Sequence, residues 1–262
     1  IRLQESVGRD MVRKVAEDFG FASDMANGPS LGLGVSESTL LEITGAYAGI
    51  RNGGTSVSPY GLVELRIKGD DQPLMGQAGG MGERVISPRA AGQLIYMMEQ
   101  VIQNGTGGRA KLPGREAAGK TGTTSSYRDA WFIGFTEQYV TGVWMGYDDN
   151  TPLKGVTGGG LPAEIWQAVM TEIHDGLPAL PLSTVSPDGS GVVVGSSGSQ
   201  QIVTSGSADD PLAAALAEAI RDNQPRQQPA QQPGTAPRTP GNSTSAGDDP
   251  LSQALNGILG RN

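Results

Sequence analysis

The length, composition and charge of this 262-residue chain exclude several kinds of partner and site. The net charge of −8, with no basic patch, argues against nucleic acid as a partner. The chain has no cysteine, which excludes disulfides and thiolate zinc sites, and its single histidine makes a Ser-His-Asp triad improbable. No stretch approaches the roughly 20 apolar residues that cross a bilayer.

The N-terminal part of the chain predicts helices. Apolar residues recur every four positions from Val7 to Phe19, which is typical of an amphipathic helix, here closed by Gly20. Thr39 and Glu42 have capping-box spacing and predict the start of a second helix. Because Ile1 already lies inside a helical pattern, we expect the chain to be a part cut from something longer.

A strand and a third helix follow. Alternation from Val63 to Ile67 predicts the strand. Ser87 is a good N-cap and Pro88 suits the first helical position, so we predict that a helix starts here. One apolar face continues along it and predicts that the helix extends to Asn104.

Three strands and a packing helix are predicted next. The strands cover roughly Glu116–Thr124, Ala130–Thr136 and Tyr139–Tyr147, and the link between the last two is short enough for an antiparallel hairpin. A helix follows, with apolar spacing from Trp166 to Ile173. The order predicts an α+β fold in which helices pack on an antiparallel sheet. We expect the three tryptophans to lie in the core: Trp131, Trp144 and Trp166.

The composition changes after about Leu182. Residues 183–262 are rich in Ser, Gly, Gln and Pro, which bury too little apolar surface to offset the entropy of ordering. We therefore predict a globular part at 1–182 and a disordered tail at 183–262. Within the tail, Asp209–Leu216 and Asp248–Leu255 repeat a helix-start pattern. They are either transient helical turns or docking motifs for a protein partner.

One motif concentrates chemistry on a predicted strand edge. Lys120 offers a cation, Thr121 a hydroxyl, Gly122 an edge without a side chain, and Thr123 a backbone N–H. Such a set can hold a peptide carboxylate and an oxyanion together, and the bare edge can pair with an incoming peptide. We predict Lys120 and Thr123 as catalytic and all four residues as substrate-binding.

The same segment satisfies a phosphate-loop pattern. Gly114 to Thr121 reads G-x-x-x-x-G-K-T. That loop needs a buried strand before it and a helix starting at Lys-Thr, whereas the residues after Thr121 are poor helix formers. Nucleotide binding is therefore an unfavoured alternative.

The surrounding sequence resembles the end of the transpeptidase domain of class A penicillin-binding proteins. Lys-Thr-Gly is one of the motifs of penicillin-interacting serine enzymes. The resemblance extends over Arg128–Phe135, Tyr139–Tyr147 and Thr157–Trp166. It implies a penicillin-binding transpeptidase fold with its N-terminal part missing.

The resemblance also implies an activity and a location. The parent protein would cross-link stem peptides of peptidoglycan by serine acyl transfer and be acylated by β-lactams, with no metal or cofactor. It would be membrane-anchored upstream and would work at the outer face of the cytoplasmic membrane, in the periplasm.

Two motifs of the resembled family are absent. No Ser-x-x-Lys and no Ser-x-Asn occurs anywhere in the sequence. We therefore expect the chain to begin just after the second motif and to be unable to react with a β-lactam alone. We also expect helices such as Pro88–Asn104 to have lost packing neighbours, leaving apolar patches prone to association.

Two further alternatives stay open. A β-lactamase or D,D-carboxypeptidase relative shares Lys-Thr-Gly, and a hydrolysis assay on the complete protein would decide. A non-catalytic peptidoglycan-binding or scaffold fragment would bind a stem peptide without being acylated.

Overall fold

The computed structural model describes residues 1–76, 80–194 and 200–203. These residues belong to one compact unit, Ile1–Gln224, and a second unit, 225–262, lies outside them. The chain starts with two short helices, α1 (Arg2–Val7) and α2 (Arg9–Asp18). The helix predicted from Val7 to Phe19 is present as α2, but it starts later than the apolar spacing indicates, because Gly8 has φ +97° and separates Val7 from it.

Helix α3 (Leu40–Arg51) begins at the predicted capping box. The Glu42 amide donates to Thr39 Oγ1 at 3.2 Å, and the Thr39 amide donates to Glu42 Oε2 at 2.8 Å. The two reciprocal hydrogen bonds satisfy amides that a helix start otherwise leaves unpaired. The helix packs on the central sheet, where Gly142 leaves room for Thr44.

Two small strand pairs follow α3. Strand β1 (Thr55–Val57) pairs antiparallel with β4 (Met81–Arg84), and β2 (Glu64–Arg66) pairs with β3 (Pro73–Gly76). The strand predicted over Val63–Ile67 is therefore present in shorter form. Its apolar side chains are exposed, unlike those of a core strand.

Helix α4 (Pro88–Gln103) lies against the central sheet and starts where predicted, with Ser87 Oγ accepting from the Ala90 amide at 3.2 Å. Its apolar face is buried, with Ile95 and Ile102 each 1% exposed. The expectation that this helix exposes an apolar patch is wrong, because α3, the sheet and the segment after α5 cover it.

The central sheet orders three described strands as β5–β6–β7, all antiparallel. They are β5 (Ala118–Thr123), β6 (Asp129–Phe135) and β7 (Val140–Gly146). Each lies within the range predicted for it, apart from the start of β6 one residue earlier. Strand β5 is at one edge of this sheet, so one side of its backbone has no partner strand among the described residues.

Helix α5 (Leu161–Ile173) packs on the sheet face opposite α3. Trp166 is fully buried there, and its Nε1 donates to the carbonyls of Gly134 at 3.2 Å and Thr141 at 3.1 Å. The prediction of a core position holds for Trp166 only. Trp131 is half-buried and Trp144 is 37% exposed. The first turn of α3 meets the sheet at Gly142, and Trp144 lies two residues beyond that contact.

The fold continues beyond the predicted boundary at Leu182. Ser183 and Val185 are buried, and the Val185 amide donates to the Gly92 carbonyl of α4 at 3.0 Å. Strand β8 (Gly191–Val194) then pairs antiparallel with β9 (Gln200–Val203). The remainder of the predicted tail, including both repeats, lies outside the described residues, so its disorder stays a prediction.

Candidate functional site

The four residues of the Lys-Thr-Gly-Thr motif lie extended along the edge of the central sheet. In β5, Lys120 pairs with Ile133 of β6 and Thr123 pairs with Ala130. The strand continues through Thr121, so no helix starts at Lys-Thr. The phosphate-loop alternative is therefore wrong, since a phosphate-binding helix N-terminus is not formed here.

The pattern of hydrogen bonds between β5 and β6 shows which amides of β5 point to the open edge of the sheet. The Thr124 amide donates to the Asp129 carbonyl at 3.0 Å, across the β5–β6 pair. Backbone groups alternate in direction along an antiparallel strand, so the Thr121 and Thr123 amides point away from β6. The Thr123 N–H therefore faces the open edge.

Lys120 carries a free positive charge at this edge. Its side chain is exposed, and Nζ donates to the outward-facing carbonyl of Thr121 at 2.8 Å. Lys120 forms no ion pair with any carboxylate in the described ranges. An ammonium with three donors thus has two left for a ligand.

The two threonines of the motif place their hydroxyls on one face of β5, because side chains alternate along a strand. Thr121 Oγ1 lies 2.7 Å from Thr106 Oγ1. Thr123 Oγ1 accepts from the Gly158 amide at 3.0 Å. Both hydroxyls are therefore held by a neighbouring turn.

The turns that hold the threonines pack tightly on β5 because they contain glycine. A Cβ on Gly158 would overlap the Gly122 and Trp131 carbonyls and lie 2.8 Å from the Gly122 nitrogen. A Cβ on Gly159 would overlap the Thr106 carbonyl. The two turns thus support the motif strand from the face that α5 covers.

Gly122 lies on the opposite face of β5 and leaves that face without a side chain at this position. It is in register with Trp131, and Trp131 with Trp144, so the three lie in a row across the sheet. A Cβ on Gly122 would lie 3.2 Å from that of Trp131, and the two indoles are 6.1 Å apart. The missing side chain therefore opens a path from the edge to an aromatic surface.

The turn after the motif is pinned by Asp129. Its carboxylate accepts from Thr124 Oγ1 at 3.1 Å and from Trp144 Nε1 at 2.9 Å. Arg128 instead donates to the Asn150 carbonyl. Arg128 and Asp129 therefore form no ion pair with each other, and their partners are carbonyl, hydroxyl and indole groups.

Comparison with known proteins identifies the family of this site. The profile described as "Penicillin binding protein transpeptidase domain" matches residues 2–171, which is more than half of the chain. The chain belongs to the penicillin-binding protein transpeptidase domain family. The resemblance seen in the sequence is thereby confirmed, and it covers the motif strand and both supporting turns.

The sequence relatives include penicillin-binding proteins 1A. The chain is 34% identical over 197 residues to the one from Neisseria lactamica, covering 72% of this chain and 24% of the relative. It is 34% identical over 167 residues to the one from Aquifex aeolicus, covering 63% and 23%. The chain thus spans about a quarter of the length of these curated relatives.

Solved structures show the same fold. PonA1 of Mycobacterium tuberculosis in complex with penicillin V has a TM-score of 0.58 and 25% identity, covering 67% of this chain and 52% of that one. Penicillin-binding protein 1A of Haemophilus influenzae has a TM-score of 0.61 and 24% identity, covering 78% and 37%. The predicted α+β transpeptidase fold is confirmed.

Among the described helices, none has the length and apolarity to cross a membrane.

The sequence alone does not predict the two groups that hydrogen-bond the motif threonines, which are the Thr106 hydroxyl and the Gly158 amide. Neither the Gly105-Thr106-Gly107 segment nor Gly158 is assigned a role in the site by the sequence alone. Both sit at glycine-rich turns, which is the signal that another backbone approaches closely. The partner, however, is more than a dozen residues away in each case and is visible only in the fold.

Proposed function

We propose that this chain supplies the carboxylate-binding strand of a peptidoglycan D,D-transpeptidase. In the complete reaction a serine attacks a D-Ala-D-Ala stem peptide, releases D-Ala and passes the acyl group to an amine of a neighbouring stem. The observation that supports this role is the open edge of β5, where a cation, hydroxyls and outward amides stand together.

Each motif residue has a chemical role in this proposal. The Lys120 ammonium attracts the terminal carboxylate of the peptide and favours proton movement near the serine. The Thr121 hydroxyl donates to the same carboxylate. Gly122 leaves the edge clear for a peptide in extended form, and the Thr123 amide is one arm of an oxyanion hole. Loss of one such arm costs about 10²–10³ in turnover.

The nucleophile and its base are not supplied by this sequence. Acyl transfer needs a serine activated by a neighbouring base, and Ser-x-x-Lys does not occur in the chain. We therefore propose that the chain binds the peptide terminus but is not acylated by itself. The parent protein would carry out the reaction outside the cytoplasmic membrane, in the periplasm, anchored by a segment upstream.

Two measurements on the chain test the proposal. We expect acetyl-D-Ala-D-Ala to shift the amide NMR signals of Thr121 to Thr123, and the shifts to be lost in Lys120→Ala because the cation is removed. Lys111→Ala is the matched control, since it removes an exposed lysine outside β5. Fluorescent penicillin should leave the chain unlabelled in gels and at its unmodified mass.

The outcomes separate the candidate functions. A covalent penicillin adduct on a serine or threonine of this chain contradicts the missing nucleophile. Equal binding by Lys120→Ala and Lys111→Ala contradicts the role of the motif. Because Ser-x-x-Lys is absent, a non-catalytic peptide-binding fragment is the second candidate. Ser-x-x-Lys and then Ser-x-Asn in the reading frame upstream of Ile1 would favour the enzyme over it.

A further inference from the structure

The hydroxyl of Thr121 is held by a residue that no motif of the site contains. Thr106 Oγ1 lies 2.7 Å from Thr121 Oγ1, across 15 positions of sequence. We infer that Thr106 is a positioning residue, which orients the Thr121 hydroxyl so that its proton points to the carboxylate of the bound peptide. This inference rests on the proposed function of β5.

The proton count of the two hydroxyls supports this role. Either oxygen can be the donor when no ligand is present. A carboxylate accepts only, so it must take the Thr121 proton, and Thr106 then has to donate to Thr121 Oγ1. Donation by Thr106 makes the Thr121 proton a better donor, because hydrogen bonds in a chain polarise one another. The pair is therefore suited to a ligand group that only accepts, and most of all to a charged one such as a carboxylate.

Thr123 shows the same arrangement with a backbone donor. The Gly158 amide donates to Thr123 Oγ1 at 3.0 Å, so this hydroxyl keeps its own proton for another acceptor. Each of these two hydroxyls on one face of β5 thus accepts a hydrogen bond from a neighbouring turn. Each can then donate its own proton to a ligand. The oxygen of Thr106 does for Thr121 what a backbone amide does for Thr123.

The backbone around Thr106 is fixed well enough to position another side chain. The Gly107 amide donates to the Val101 carbonyl at the end of α4 at 2.9 Å. A Cβ on Gly105 would lie 3.0 Å from Val101, and a Cβ on Gly107 would lie 3.2 Å from the Phe132 ring. Thr106 is therefore held between two glycines that seat the turn against buried structure.

Removing the Thr106 hydroxyl should free Thr121. Threonine populates more than one χ1 rotamer unless a partner selects one. We expect Thr106→Val, which keeps the shape, to average the Thr121 χ1 couplings measured by NMR. We also expect it to weaken binding of acetyl-D-Ala-D-Ala by about three- to tenfold, the range of one net hydrogen bond. Binding of the C-terminal amide of the same peptide should weaken less, because a neutral carbonyl is a weaker acceptor than a carboxylate.

Two variants act as controls. Thr106→Ser keeps the hydroxyl and should restore one Thr121 rotamer and wild-type binding. Thr171→Val makes the same change on the exposed surface of α5 and should alter neither.

Each outcome decides the inference. A single Thr121 rotamer and unchanged acid binding in Thr106→Val would overturn it, as would an equal loss in binding of the acid and the amide. If the wild type binds neither peptide, the proposed function fails. The Thr121 couplings alone then decide whether Thr106 orients the hydroxyl.

Discussion

Glu42 is the carboxylate with the most hydrogen bonds in the described ranges, and it joins two parts of the N-terminal region. It accepts from the Thr39 amide at 2.8 Å, from Ser23 Oγ at 2.8 Å and from the Ala22 amide at 3.0 Å. These donors, led by the Thr39 amide, lower the pKa of Glu42 to about 2. They favour the ionised form because a carboxylate accepts where a carboxylic acid must partly donate.

Acid should therefore weaken the fold through Glu42. Its folded pKa is about 2, below the ordinary 4.5, so its contribution is complete above the unfolded value and is lost as the pH falls toward 2. We expect Glu42→Gln to reduce the free energy of unfolding at pH 7 and to flatten its decline between pH 4.5 and 2. Urea unfolding at a series of pH values measures both effects.

Glu37→Gln is the control, since it removes an exposed carboxylate in the loop before the same helix. It should leave the acid decline as in the wild type. A Glu42→Gln protein with an unchanged decline would show that other carboxylates dominate.

Local contacts of Glu42 could be predicted from the sequence and distant ones could not. Thr39 lies three positions away, so spacing alone indicates the capping box. Ser23 lies 19 positions away, and its approach depends on how the loop after α2 folds back. The same limit explains why the motif residues of β5 could be predicted but Thr106 behind them could not.

At the level of elements, strand β5 depends on the turn that crosses its face. Gly158→Ala would place a methyl group against the backbones of Gly122 and Trp131, neither of which can move without opening the sheet. We expect a loss of about 1–3 kcal/mol in the free energy of unfolding, which is typical of overpacking. We also expect the amide signals of β5 to shift, because the strand has to move.

Gly61→Ala is the matched control for this change. A Cβ at Gly61 meets no atom within 4 Å, so its effect should stay within about 0.5 kcal/mol. Equal stability of the two variants, measured by urea unfolding, would contradict the close packing of the Gly158 turn.

Element boundaries were predictable where one signal fixes them. Alternation and turn residues located the three central strands, and Ser87 with Pro88 located the start of α4. Periodicity misplaced the start of the first predicted helix. The four-residue spacing continues from Val7 to Met11, although the backbone changes direction at Gly8 between them. Residue type misled at Trp144, since tryptophan favours the core but the place where α3 meets the sheet decides which residues are covered.

At the scale of the whole molecule, exposed apolar side chains lie away from α4. The outer stripe of α5, formed by Leu161, Ile165, Val169 and Ile173, is 38–43% exposed at each position. The β2–β3 hairpin adds a second apolar surface. Contiguous apolar surface of this kind favours association in water.

We expect the chain to self-associate through the outer stripe at high concentration. Ile165→Glu should lower the weight-average mass in sedimentation equilibrium, because a charge in the stripe resists burial. Thr171→Glu adds the same charge at an exposed position of α5 outside the stripe and should leave the mass unchanged. A wild type that stays monomeric at all concentrations and melts sharply would contradict this prediction.

Val185 packs against α4, and this contact sets the shortest form of the protein that keeps α4 covered. Its isopropyl group fills the space that Gly92 leaves, and a Cβ at Gly92 would lie 2.7 Å from Val185 Cγ2. Leu182, just before it, donates its amide to Glu116 Oε2 at 2.7 Å, next to the start of β5. A chain that ended with α5 would therefore expose the part of α4 that Val185 covers. It would also lose the hydrogen bond to Glu116, which lies just before the motif strand.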